Sequence, residues 1–222
     1  MGNWERLVWN NRDVLLKGLV VTMEVCAIAF IAAIVVGLAL CLIRMYVRPL
    51  RWIASVWIEF CRATPIYVQL MWVNYVWPEV IGWPTSFFTA GCVALAMQSS
   101  GYLAETFRAG IESVSRGQRE AAQAVGMSPV LTFRRIVLPQ VLLAIAPSIV
   151  TQLVVIVKSS TLISVISVQD LMSESQRLIY ASLEPIEILT ATAAIYILFI
   201  FVLSAAGKAL ADRLRARIGF TV

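Results

Sequence analysis

The sequence predicts an all-α polytopic membrane protein with five transmembrane helices, and three observations carry that expectation. Of its 222 residues 60% are hydrophobic and 14% charged, with a mean hydropathy of +0.83, whereas soluble domains lie nearer half apolar and a quarter charged. The apolar residues come in runs long enough to cross a bilayer, which takes about 20 residues of helix. Lys and Arg collect between alternate runs, as they do in loops retained in the cytoplasm. The length suits a single domain with modest loops.

The first apolar run covers about residues 19–43. It is too long for the core of a secretory signal and ends without a small-residue cleavage site, so it reads as a retained span. Pro49, in the basic segment after it, breaks the helix. The second run, about 53–77, is interrupted by Arg62-Ala-Thr-Pro65. Proline suits the first turn of a helix, so a span starting there would leave residues 52–61 as an interfacial or packed helix. Pro78, Gly82 and Pro84 then make a turn, with Trp77 and Trp83 placed where an aromatic belt would sit. The third span is expected at about 87–107, and a polar stretch at about 108–139 follows it. The fourth covers about 141–157 and ends near Lys158; after a mixed stretch, the fifth covers about 186–206 and runs into a basic tail.

One set of loops holds Arg44, Arg48, Arg51, Arg108, Arg116, Arg119, Arg134, Arg135, Lys208, Arg213, Arg215 and Arg217. The other holds Arg6, Arg12, Lys17, Lys158 and Arg177, and Arg62 is assigned to neither set. Basic loops stay inside, so the N-terminus is expected in the periplasm and the C-terminus in the cytoplasm, as an odd number of spans requires. The net charge of +5 is read as this anchoring, not as a nucleic-acid surface. There is no His, which removes the commonest general base and metal ligand. Cys26, Cys41, Cys61 and Cys92 lack metal-site spacing and read as small apolar fillers.

The polar stretch is patterned as two short helices. Residues 119–125 are rich in helix formers, Gly126 suits the left-handed stop, and Ser128-Pro129 is an N-cap followed by a first-turn proline. The second helix is expected to run through Phe133 and Ile136 until Pro139 resets the chain. Such a helix–turn–helix between two spans suits contact with a partner; an amphipathic loop lying on the membrane fits the pattern equally.

Glu120-Ala121-Ala122, Gly126 and Ile136-Val-Leu138-Pro139 resemble the EAA motif of ABC importer permeases. Arg108 to Ala122, Arg62 to Leu70, Gly101 to Arg108 and Lys158 to Leu171 resemble the polar amino-acid branch of that family (the histidine, glutamine, arginine and glutamate type), and the likeness runs over about residues 15–215. The resemblance implies a type I ABC importer permease fold in the bacterial inner membrane. Glu120, Ala121, Ala122, Gly126, Ile136, Leu138 and Pro139 would couple it to the ATPase. Its implied partners are an ABC ATPase dimer that binds ATP and Mg, a second permease subunit, identical or homologous, and a periplasmic substrate-binding protein. The chain departs from the family pattern at Lys158-Ser-Ser-Thr-Leu162, often Lys-Asp-Thr-Ser-Leu, and at Gln152, often Asn.

Polar groups at span depth are costly and tend to face a cavity or a partner. Gln98, Tyr102 and Glu105 share one face of the third span by their spacing, and Ser148, Thr151 or Gln152, and Lys158 share a stripe of the fourth. These stripes are candidate walls of a substrate path, Lys158 being able to meet a carboxylate. Interhelical hydrogen bonding and a snorkelling lysine are the plain alternatives. No G-x-x-x-x-G-K-[S/T] occurs, so ATP would be handled elsewhere. An intramembrane enzyme would need a nucleophile and base or metal ligands within the spans. The readings kept beside an amino-acid importer are a permease for methionine, phosphate or another small solute, and a non-transporting membrane scaffold.

Overall fold

The computed structural model describes residues 9–218, and among them the chain is helical with short connections and no strand. Arg6, on the less basic side, lies outside those residues. Helix α1 is Arg12–Tyr46 and α2 is Arg51–Ala63. Helix α3 covers 66–81 and α4 is Phe87–Ser113. The polar stretch holds α5, Arg116–Ala124, and the start of α6, which covers 129–160. A 3-10 turn at Thr161–Ile166 leads to α7, Leu171–Ser182, and then to α8, Pro185–Ile218.

By length and composition, three helical stretches suffice to cross a membrane among the described residues: Arg12–Tyr46, Pro129–Ile166 and Pro185–Arg213. The stretch expected as one span at 53–77 is divided. Helix α2 ends at Ala63, Thr64 is extended, and Pro65 caps the next helix. The break leaves carbonyls at the end of α2 without helical partners, and buried Gln69 repairs part of the loss. Its Nε2 donates to Cys61 O at 2.8 Å and to Thr64 O at 3.3 Å.

The proline at 139 does not reset the chain as expected. A proline inside a helix lacks the N–H and collides with the carbonyl four residues back. Here the helix widens to a π turn at Phe133–Val137 and continues straight into Leu138–Ser160. The same device precedes Pro78, with a π turn at Trp72–Val76. In both, the residue whose carbonyl would clash, Asn74 or Arg135, sits inside the widened turn.

Helix α4 is the centre of the fold, with buried residues recurring from Ala90 to Ile111. Ser86 starts it, its hydroxyl accepting from Thr89 N at 3.2 Å. Helices α1, α2 and α6 pack around α4. With little hydrophobic drive between helices in lipid, close backbone approach does the work, and small residues permit it. A Cβ at Gly37 of α1 would lie 2.9 Å from Ser100 O, and one at Gly101 would lie 2.9 Å from Cys61 Cβ and 3.0 Å from Ile58 O. At the opposite end of α1, the Leu171 N–H donates to Thr22 Oγ1 at 3.1 Å, and Ser175 and Thr192 share a hydrogen bond of 2.7 Å. These buried polar links fix α7 to α1 and α8 to α7.

Candidate functional site

The seam between α4 and α6 opens into a polar groove. One section, about 390 Å³, is walled by Arg62, Tyr102, Thr106, Pro147, Thr151 and Gln152, with Glu105 and Ser148. A second, about 370 Å³, runs on past Gly110 and Ala144 to Ser113, and the two share Glu105, Thr106 and Ser148. The helical repeat explains the wall on each side. Tyr102, Glu105 and Thr106, and likewise Pro147, Ser148 and Thr151, recur at three and four residues and so share a face.

Charge enters the groove at two places. Arg62 projects from the last turn of α2, its NH1 donating to Glu59 Oε1 at 3.1 Å and its guanidinium lying 5.6 Å from the Tyr102 ring centroid. The Tyr102 hydroxyl donates to Arg62 O at 3.4 Å. The Nε of Arg62 is buried with no hydrogen-bond partner. Glu105 binds two cations: Arg44 from the end of α1, and Arg108, whose Nε donates at 2.9 Å. Arg108 also donates to Glu112 at 2.6 Å. This chain of charges ties α1 to α4.

Four candidate path residues therefore meet in one groove: Tyr102, Glu105, Thr151 and Gln152. Gln98 is half-buried, one turn before Tyr102 on α4, and is not part of the wall. Lys158 is exposed in the last turn of α6. It stays on the Thr151 stripe but lies seven residues on, roughly 10 Å along the axis, beyond the groove. At a helix C-terminus an ammonium is favourably placed against the helix dipole.

The stretch 116–139 folds as a compact projection. Helix α5 ends on Gly126, whose φ is +79°, with the Met127 N–H donating to Ala122 O at 3.0 Å. That is the bond pattern of a left-handed helix stop. Ser128 caps α6, accepting from Leu131 N at 3.3 Å, with Pro129 in the first turn. Ala122 is buried against the body, while Glu120 and Ala121 face outward. Ile136, Leu138 and Pro139 are half-buried where α6 leaves the projection. Gln140 Nε2 donates to Gln118 Oε1 at 2.6 Å, joining the base of α6 to α5. At the tip, Val125 and Val130 are 76% and 77% exposed, and Leu131 and Phe133 beside them are exposed too.

The family of the "Binding-protein-dependent transport system inner membrane component" matches residues 27–217. The chain belongs to that family. As a member it is a multi-pass transport subunit of the inner membrane that works with a separate ATPase and a substrate-binding protein. It is 33% identical over 204 residues to the "Arginine transport system permease protein ArtQ" of Bacillus subtilis (strain 168), covering 91% of this chain and 93% of that protein. It is 37% identical over 164 residues to the "Putative glutamine transport system permease protein GlnP" of Rickettsia conorii (strain ATCC VR-613 / Malish 7), covering 73% of this chain and 75% of that one. Among solved structures, the "Crystal structure of an amino acid ABC transporter with histidines" matches with a TM-score of 0.87 at 30% identity, over 96% of this chain and 99% of that chain. A MetNI methionine ABC transporter matches with a TM-score of 0.78 at 18% identity, over 96% and 99%, a likeness of fold alone.

In the section of the groove around Tyr102, sequence reasoning missed three residues. Thr106 is one turn from Tyr102 and was readable by spacing. Pro147 carries no polar side chain to attract notice. Arg62 belongs to a different helix, and only the packing of α2 on α4 at Gly101 brings it to the groove.

Proposed function

We propose that this family member carries polar amino acids inward through the groove, and that the projection at 116–139 is where the ATPase drives it. The observation that carries the reading is the groove itself, with a guanidinium at Arg62, a carboxylate at Glu105, and hydroxyl and amide groups of Thr106, Ser148, Thr151 and Gln152 between. A zwitterion needs both signs of charge and neutral hydrogen-bonding groups along its way. The relatives named for arginine and glutamine, and the amino-acid transporter of similar structure, support the same substrate class.

Force reaches the groove along one helix. Pro129 to Thr132 lie in the projection, and Pro147 to Gln152, in the same α6, wall the groove. The two regions are about 25 Å apart at the helical rise. When two ATPase subunits close on ATP, displacement of the projection tilts α6 and changes the groove; release after hydrolysis reverses it. Glu120, Ala121, Val125 and Val130 are the contact residues. Gly126 sets the turn, and Ile136, Leu138 and Pro139 pass the motion into α6.

Five spans are proposed, with the N-terminus in the periplasm and the C-terminus in the cytoplasm. The basic loops support this orientation, and Arg44, in the last turn of α1 next to one such loop, joins Glu105, which also binds Arg108 near the end of α4. Tyr102 and Thr151 are exposed on the single chain, which at span depth is costly unless covered. A second permease subunit across the groove supplies the cover. The test is to co-purify the chain with its ATPase and measure turnover with binding protein and a panel of amino acids. Stimulation by polar amino acids supports the proposal; stimulation by methionine or phosphate alone reassigns the cargo, and co-elution without stimulation by any ligand favours a scaffold.

A further inference from the structure

A second polar site lies away from the groove, behind the projection. A pocket of about 260 Å³ sits between the end of α1 and the root of the helix–turn–helix, walled by Tyr46, Ile111, Arg119, Gln123, Thr132 and Val137 among others. Two of its polar atoms lack a hydrogen-bond partner although both are buried, Arg119 Nε and Thr132 Oγ1. Thr132 is only 6% exposed. Buried donors left unmade cost free energy, so two of them on one cavity call for a ligand or a role there.

The rest of the wall restricts what that ligand is. Arg119 supplies the only formal charge among the lining residues, and no carboxylate lines the pocket. Its NH2 donates to Ile111 O at 2.8 Å, at the end of α4. That contact holds the guanidinium in place and leaves the Nε–H free. A planar guanidinium with a free N–H beside a hydroxyl and the Gln123 amide matches the oxygens of a phosphate. Ile111, Val137 and the rings of Tyr46 and Phe133 make the remainder of the wall apolar, as the hydrocarbon next to a headgroup requires. Tyr46 also ends the first long helix, where aromatic residues meet the membrane interface.

We propose that this pocket binds one phosphate group, through Arg119 Nε and Thr132 Oγ1, from either an acidic phospholipid of the adjacent leaflet or a free phosphate in solution. Basic pockets between membrane helices on the cytoplasmic side are suited to acidic headgroups. The lipid source rests on the orientation proposed above; the site itself does not. Occupancy would brace the root of the projection, where α4, α5 and α6 meet.

The test uses the full chain purified with its ATPase, as wild type, Arg119→Gln and Thr132→Val. In one arm, phosphatidylglycerol retained after exchange into phosphatidylcholine nanodiscs is counted by native mass spectrometry. In the other, inorganic phosphate binding is titrated in phosphatidylcholine nanodiscs alone. One retained acidic lipid, with affinity falling roughly tenfold in each variant and no effect of Arg134→Gln, identifies the lipid source. Saturable phosphate binding with the same losses identifies the free anion. Thr132→Val keeps the Arg119 contact with Ile111, so a folding defect in Arg119→Gln does not obscure the result. Equal binding of both probes by wild type and both variants, or binding of neither by the wild type, overturns the proposal. Both readouts are independent of transport, so failure of the amino-acid reading would leave them unchanged.

Discussion

Gly101 of α4 permits α2 to lie against it, and replacing it with alanine tests that packing directly. The added Cβ would meet Cys61 Cβ at 2.9 Å, Ile58 O at 3.0 Å and Arg62 Cγ at 3.1 Å. Ordinary contacts begin near 3.4 Å, and a backbone carbonyl cannot give way without moving its helix. Overpacking of this kind costs about 1–3 kcal/mol, opposed by about 1 kcal/mol of helix propensity gained on replacing glycine. Gly117→Ala is the control, because α5 is helical there and nothing lies within 4 Å of the new Cβ. It gains the propensity without the collision. The difference between the two variants therefore isolates the packing cost, about 1–3 kcal/mol or several degrees in melting temperature. Thermal unfolding of the purified chains in one detergent measures it. Gly101→Ala should melt below Gly117→Ala and, because Arg62 Cγ is displaced, should also transport more slowly. Equal melting temperatures for the two variants would refute the close α2–α4 contact and with it the position of Arg62 in the groove.

Other outcomes follow from the same geometry. Glu105→Gln leaves Arg44 and Arg108 without their shared carboxylate and should lower stability by about 1–3 kcal/mol, read by the same melts, with transport reduced. Val125→Asp with Val130→Asp should leave the melt unchanged and cut ATPase co-purification at least tenfold, because charge would replace the two most exposed of the projection's large apolar side chains. Asp170 caps α7 from a fully buried position outside the spans, accepting from Ser173 N at 3.0 Å. Burial pushes its carboxyl up from 3.8 to about 6. The folded state thus holds this proton more tightly than the unfolded one, so the contribution of Asp170 to stability is greatest below pH 3.8 and is lost as pH rises through about 6. Asp170→Asn keeps a capping oxygen and should remove that pH dependence, most visibly as a higher melting temperature than wild type at pH 7.

How much was legible depended on whether the governing interactions were local. The turn at Gly126-Met-Ser128-Pro129 was readable residue by residue, since a left-handed stop, a hydroxyl cap and a first-turn proline each act within four residues. The groove faces of α4 and α6 were readable from helical spacing, which placed Tyr102 with Glu105 and Thr151 near Ser148. Arg62, by contrast, reaches the groove only because two helices touch at Gly101, and no local pattern encodes that contact. Lys158 shows the limit of spacing, which fixes a face but not a depth: it shares the stripe of Thr151 and lies beyond the residues that line the groove. Pro139 was misread because a widened turn absorbs a proline that an α-helix could not. The pocket behind the projection brings together Tyr46 and Thr132, which are far apart in sequence, and only the fold reveals that.

The most direct test of the account is uptake. The chain, with its ATPase and a second permease subunit, is reconstituted into liposomes, with binding protein and a radiolabelled polar amino acid on one side and ATP on the other. The expected result is accumulation that requires ATP and binding protein and is abolished by Val125→Asp with Val130→Asp, while the ATPase itself remains active. An assembled complex that hydrolyses ATP in response to the loaded binding protein, yet accumulates no amino acid, would contradict it.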